Sequence, residues 1–502
     1  MIHGFVSVCF AGALCALLPA QRESTQTRRA TTQRESTQTR RATAQRESTQ
    51  TRKEDGGREL FTIAPYLQNV TRSGISLCWQ QQRSGPAFVR YRERGQRAPW
   101  RRHNTYAKRR AKSIRLEKLR PGTPYEYGVS LDGRRWYAGR FVTAPWQDAP
   151  FKFLVLGDTR RGRPQDHKAV VEAMRLESPA LIFNTGDLVR RAAAESWETF
   201  FRIEAPVLRN APLYAALGNH EIWGGRVAGI RLFRRYLELP RNGPDPEIVY
   251  ALDYGNTRFI VLNSNTSFLG SRQSKWAVER MEQGQADPRI EHVFLVLHHG
   301  PYSSGPHGSN QRLVESGLLH CARRTGVDFV FSGHDHLYER GAVDGLRYVV
   351  TAGGGAPLYA AQAWTAHARV VEAVHHYVRV AIHGREVELA AVRTDGSLID
   401  TFHYVKRADS ERKGSRFVVL HDAHPRMGRN ALAGGRARST KEATLFFRAG
   451  RRGHHRERDV HCPTHGGEWI WLVVVILGGL SGVGGAVWWW RRVHKRRQDF
   501  QG

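Results

Sequence analysis

Asp158, Asp187, Asn219, His298, His334 and His336 are side chains of the kind that hold transition metals, and each follows an apolar run within a few residues. The chain reads LVLGDT at Asp158, NTGDL at Asp187, ALGNHE at Asn219 and His220, LVLHHG at His298 and His299, and FSGHDH at His334 and His336. Two carboxylates, an amide and three imidazoles suit borderline divalent metals, not calcium and not a structural zinc held by thiolates. Glycine stands directly before Asp158, Asp187, Asn219 and His334. It lets the backbone turn sharply there and come close to an ion. A lone Gly-Asp is an ordinary turn, and His299 by itself is a neighbour, not a ligand. Five such segments in order, each at the end of an apolar run, mark a site.

Those segments need elements to position them. Short apolar runs at Phe153–Leu156, Leu181–Phe183, Leu213–Leu217, Phe259–Leu262, Val293–Leu297 and Phe329–Phe331 read as strands. Between the first two, Val170, Ala173, Met174 and Glu177 recur at helical spacing, which predicts a helix over 166–177. Strands alternating with helices predict an α/β fold with a largely parallel core sheet, closed by strands at 378–382, 387–392 and 402–405. In such sheets the working residues gather outside the carboxyl ends of the strands. Ahead of them, residues 60–145 read as a small all-β unit: Ile75, Leu77 and Trp79 alternate with Ser76 and Cys78.

The ligand series resembles the calcineurin-type metallophosphoesterases. The stretch Gly333-His-Asp-His-Leu-Tyr-Glu-Arg340 resembles their purple acid phosphatase-like branch. The segment 119–127, with Trp79, resembles the tyrosine-corner region and core tryptophan of a fibronectin type III domain. The fold class implied is α/β: a metallophosphoesterase-type β-sandwich flanked by helices, preceded by a small all-β fibronectin III-like sandwich, with one C-terminal transmembrane helix. The resemblance also implies two divalent or mixed-valence transition metal ions, Fe, Zn or Mn. By the same resemblance Asp187 bridges the ions, Asp158 and His336 bind the first, and Asn219, His298 and His334 bind the second. His220 then contacts the substrate phosphate, and His307, in His-His-Gly-Pro-Tyr-Ser-Ser-Gly-Pro-His, falls at the leaving-group acid; an exposed loop histidine is the alternative for it.

The chain also departs from the family. Purple enzymes carry a tyrosine three residues after the bridging aspartate, where this chain has Arg190, so no ferric–tyrosinate colour is expected. Other branches carry a histidine two residues after the first aspartate, where this chain has Arg160. The first ion therefore lacks one expected ligand. His167 could supply it, or merely cap its helix or face solvent. Arg160 could hold the substrate phosphate bidentately, or make a structural salt bridge. Glu221 reads as an orienter of the site.

The whole chain of 502 residues suggests further segments. Residues 1–20 read as a signal peptide, and residues 21–59 as disordered spacer built on QRESTQTR repeated every twelve residues. The catalytic part is expected over 150–405, followed by a basic linker, 406–468. Residues 469–490 carry no charge, have tryptophans at both ends and are followed by a basic tail, 491–502. That is the pattern of a transmembrane helix with the tail cytoplasmic and the body outside. An exported, membrane-anchored enzyme, periplasmic or at the cell surface, follows as the expectation. Its partners would be a phosphorylated small molecule, or a lipid or nucleotide substrate, and the membrane through the C-terminal helix. The net charge of +31 implies attraction to anions but no specific nucleic-acid partner. Hydrolysis of phosphate monoesters is the leading reading. Against it stand a phosphodiesterase or nucleotidase of the same fold, a catalytically weak surface-binding protein, and a nucleic-acid binder resting on charge alone.

Overall fold

The first strands are β1 (Phe61–Gln68), β2 (Ile75–Gln81), where Ile75, Leu77 and Trp79 alternate with Ser76 and Cys78, β3 (Gly85–Glu93), β4 (Arg101–Ala107), β5 (Lys112–Leu116), β6 (Pro124–Ser130) and β7 (Tyr137–Val142). The structure is a computed structural model that describes residues 60–95, 98–107, 112–147, 149–160, 162–362, 364–407 and 417–423. β1, β2 and β5 form one antiparallel sheet, and β4, β3, β6 and β7 a second. Trp79, Tyr125, Tyr127 and Tyr137 are fully buried here, and the Tyr125 hydroxyl accepts the Arg120 N–H at 2.9 Å.

From Phe151 the strands lengthen the chain in a different way. β8 (Phe151–Leu156), α1 (Pro164–Arg175), β9 (Leu181–Asn184), α2 (Ala194–Leu208) and β10 (Leu213–Ala215) wind as β-α-β units. β8 pairs in parallel with β9, and β9 with β10. After α3 (Arg226–Tyr236) come β11 (Tyr250–Tyr254), β12 (Thr257–Val261), α4 (Arg272–Ala286), β13 (His292–His299), α5 (Gln311–Val314), α6 (Leu318–Thr325) and β14 (Phe329–Gly333). β12, β13 and β14 are again parallel. The later strands are β15 (Tyr338–Val343), β16 (Leu346–Thr351), β17 (Ala368–Glu372), β18 (His376–His383), β19 (Glu386–Arg393), β20 (Leu398–Lys406) and β21 (Phe417–Ala423), and two residues join β15 to β16 and β18 to β19. Turns of two or three residues, such as Asp344-Gly345, can join only antiparallel neighbours. The core is therefore two mixed seven-stranded sheets, β10-β9-β8-β18-β19-β20-β21 and β11-β12-β13-β14-β16-β15-β17, and not the largely parallel sheet that the apolar runs suggested.

Aromatic rings fill the space between the sheets. Phe153 of one lies edge-on to Phe259 of the other at 5.0 Å, and Phe183 stacks on Phe259 at 4.4 Å. At the lower ends of β13 and β14, buried Asp328 collects Lys406 Nζ at 2.8 Å, the Tyr404 hydroxyl at 2.6 Å, His292 Nδ1 at 3.2 Å and the Val293 N–H at 2.8 Å.

The all-β unit does not hang on a loose connection. Its tyrosine hydroxyls donate into the α/β body, Tyr66 to Tyr236 O at 2.6 Å and Tyr127 to Arg209 O at 2.9 Å, and Tyr66 lies against Phe201 with ring centres 4.2 Å apart.

Two expectations need correction here. The expected helix over 166–177 starts earlier, at Pro164, because proline is well suited to the first helical turn. The segment assigned to a basic linker contains β21, which pairs with β20 through Thr401–Lys406 and lengthens the first sheet. The remaining sequence features, the signal segment 1–20, the repeats 21–59, the membrane-spanning stretch 469–490 and the tail 491–502, lie outside the described residues. Among the described residues no helix is long and apolar enough to cross a membrane.

Candidate metal centre

Asp158 follows β8, Asp187 follows β9, Asn219 and His220 follow β10, His298 closes β13, and His334 and His336 follow β14. All lie at the carboxyl ends of parallel strands, where backbone direction aims the loops at one point. Three of these residues take left-handed backbone angles, with φ of 57° at Asp158, 57° at Asp187 and 73° at His334. Non-glycine residues rarely do so, and such strain concentrates where function needs a fixed side chain.

The atoms meet closely. His298 Nε2 lies 2.9 Å from Asn219 Oδ1 and 3.4 Å from Asp187 Oδ1. Its other nitrogen, Nδ1, is 3.0 Å from the Thr185 carbonyl and must donate to it. Nε2 then carries a lone pair that faces two oxygen acceptors, an arrangement that a cation relieves. His334 Nδ1 is buried with no hydrogen-bond partner, and Asp158, Asp187 and His298 offer ligand atoms within 4.8 Å of one another. His299, treated above as a mere neighbour, joins His298 and His334 in a second such group. The doubled histidine was the signal for it. Burial holds the imidazoles of His298, His299 and His334 below their usual range, so all three are neutral donors of electron pairs. These residues fit a divalent metal at the second-ion position.

The first-ion position differs. Asp158 Oδ2 accepts the His334 N–H at 2.9 Å, and Oδ1 lies 3.3 Å from His336 Nε2. Burial raises the Asp158 carboxyl, His336 and Arg160 oppose this, and Asp187 reinforces it. Arg160 does not reach outward for substrate. Its Nε donates to Asp187 Oδ2 at 2.5 Å and its Nη2 lies 3.3 Å from His336 Nε2. His167 is not brought to the cluster either: it is buried on α1 with Nε2 2.8 Å from Glu204 of α2. A carboxylate thirty-seven residues away in sequence claims it.

Around this cluster the supports are polar and buried. Glu221 accepts N–H bonds from Asp187 at 2.9 Å, Gly218 at 2.7 Å and Val189 at 3.1 Å, and so ties together the loops after β9 and β10. Its burial, aided by the Asp187 charge, pushes its carboxyl up to about 8 against those three N–H bonds. His220 donates its backbone N–H to Asp187 Oδ1 at 2.8 Å; its ring is held by Nδ1 on the Arg190 carbonyl at 2.7 Å and lies edge-on to Trp223. His307 is exposed, with its ring stacked on His334 at 4.1 Å. A cavity of about 470 Å3 opens over His299, His307 and His334, with Tyr302 and Arg312 in its wall. That is the size of a small-ligand pocket.

Residues 151–338 match the calcineurin-like phosphoesterase family. The chain carries a metallophosphoesterase domain of calcineurin type. Purple acid phosphatases are among the relatives it resembles. It is 27% identical over 236 residues to a probable purple acid phosphatase of Arabidopsis thaliana, covering 44% of this chain and 53% of the relative. It is 25% identical over 268 residues to an uncharacterized protein of Mycobacterium tuberculosis, covering 46% and 50%. The purple acid phosphatase from yellow lupin (Lupinus luteus) seeds shares the fold with a TM-score of 0.57 at 19% identity, covering 68% of this chain and 73% of that one. The chain spans about half the length of the curated relatives it matches.

Proposed function

We propose that this protein hydrolyses phosphate monoesters, with a metal ion held by Asp187, Asn219, His298 and His334. The observation that carries this is the approach of Asn219 Oδ1 (2.9 Å) and Asp187 Oδ1 (3.4 Å) to His298 Nε2, with a cavity opening over His334 beside them. A metal at that point supplies Lewis-acid polarisation of a phosphoryl oxygen and acidifies water. The chain's own groups do the rest. His220, whose Nδ1 is engaged by the Arg190 carbonyl, stabilises phosphoryl charge when protonated on Nε2. His307, at the cavity rim, gives its proton to the leaving alkoxide. Glu221 keeps the Asp187 and Asn219 loops in register.

The same reading takes the N-terminal unit as a fibronectin type III-like module, supported by its three- and four-stranded sheets and by the Tyr125 hydroxyl on Arg120. It also takes the enzyme as exported and tethered through 469–490 with the catalytic domain outside the cytoplasm. The uncharged run, the terminal tryptophans and the basic tail support this.

A comparison of substrates tests the reading. Purified protein is expected to turn over 4-nitrophenyl phosphate faster than its bis ester; turnover of the bis ester alone would replace it with a phosphodiesterase. His307→Ala is expected to lower kcat by about 10²-fold on an alkyl phosphate, whose leaving group needs a proton. The loss on 4-nitrophenyl phosphate should be much smaller, because nitrophenolate leaves unaided. Equal losses on both would remove His307 from the acid role.

A further inference from the structure

Arg160 stands two residues after Asp158, where other branches of the family carry a ligand of the first ion. Its side chain is 5% exposed, that of His336 1% and that of Asp187 0%, so the three meet away from water. His336 Nδ1 lies 2.6 Å from the Pro357 carbonyl, which can only accept, so this nitrogen carries the proton. Nε2 therefore holds a lone pair, and the Arg160 Nη2 at 3.3 Å donates to it. The guanidinium Nε takes Asp187 Oδ2 at 2.5 Å. These two electron pairs are the ones a first ion would need from His336 and Asp187. Among Asp158, Asp187 and His336, Asp158 Oδ1 remains without a hydrogen bond, and it lies 3.3 Å from the same imidazole nitrogen. The Tyr359 ring stacks on His336 at 4.0 Å and closes that side.

The other half of the site is left intact. Asp187 uses its second oxygen, Oδ1, toward His298 and the His220 N–H, and Asn219 and His334 stand beside it. Asp187 thus joins two positions, but one of them already holds a cation that belongs to the chain. A guanidinium cannot be deprotonated at working pH, and its fork matches a carboxylate oxygen and an imidazole lone pair.

We propose that this centre takes a single divalent metal ion, at Asp187, Asn219, His298 and His334, and that the Arg160 guanidinium replaces the second cation of the family's pair. The proposal rests on the metal-dependent hydrolase reading and refines its site. Arg160 pairs with Asp187, places one positive charge near Asp158 and holds His336 in place, and it offers no open coordination position.

Metal content decides the matter independently of turnover. The full chain, freed of metal, is titrated with Mn2+ and read by elemental analysis and by electron paramagnetic resonance. One Mn2+ per chain with the six-line signal of an isolated ion is expected for the wild type. Arg160→His, which restores an imidazole at this position, is expected to bind two, with an exchange-coupled signal. Two ions in the wild type would overturn the proposal. So would a folded Arg160→His that still takes one, since Arg160 would not be what excludes the second. If that variant does not fold, the wild-type count still decides. Binding of no ion by the wild type would overturn the metal-centre reading itself, which separates the two failures.

Discussion

Asp187→Asn is expected to lower kcat/KM on 4-nitrophenyl phosphate by about 10³-fold or more, because a ligated metal supplies several kcal/mol of transition-state stabilisation. Both oxygens of this side chain are engaged. Oδ1 accepts the His220 N–H and faces His298, while Oδ2 accepts from Arg160. The amide keeps the shape but removes the charge, so both metal affinity and the partner of a buried guanidinium are lost. Thermal unfolding should therefore fall as well. Circular dichroism at the assay temperature separates the two effects: a folded variant that keeps wild-type turnover would remove Asp187 from the centre.

Asp328→Ala is expected to cost about 3–5 kcal/mol of stability, the usual penalty for breaking a buried ion pair from one side. The carboxylate is fully buried, and what it holds is structural: Lys406 from the end of β20, His292 and Val293 from the start of β13, and Tyr404. Burial alone would raise this carboxyl, but Lys406 and His292 outweigh it and hold it well below the usual carboxylate range. An acid depressed in the folded state stabilises the fold fully above its unfolded value, about 4. That contribution shrinks as pH falls from there toward the folded value. Urea unfolding at pH 7 and pH 3 should show the gap between wild type and Asp328→Asn narrowing on acidification. A gap that widens would mean the charge is not what the cluster uses. The effect reaches the site through geometry, since β13 leaves this cluster and carries His298 near its far end, and β14 leads directly into His334.

What the residues alone disclosed, and what they hid, follows from range. The ligand segments were legible because each is local: an apolar strand, a glycine, then a metal-binding side chain within a few positions. A helix over 166–177 was legible from its own periodicity, two residues out of step with the Pro164–Arg175 that the structure shows. The fate of Arg160 was not, because its partners Asp187 and His336 come from other strands and only the folded sheet brings them to it. His167 was open for the same reason, with Glu204 on a different helix. The mixed sheets were missed because an apolar run looks alike whether its neighbour is parallel or antiparallel; the short turns after β15 and β18 decide it. The docking of the N-terminal unit rests on hydroxyls of Tyr66 and Tyr127, which in the sequence read only as strand residues.

The most direct measurement is hydrolysis of 4-nitrophenyl phosphate by the wild-type chain before chelation, after exhaustive chelation, and after a divalent metal is returned. The arrangement of Asp187, Asn219 and His298 predicts that turnover vanishes with the metal and comes back with it. Turnover that survives complete removal of metal would contradict the account, since the phosphate would then be activated without the ion that Asp187, Asn219 and His298 are proposed to hold.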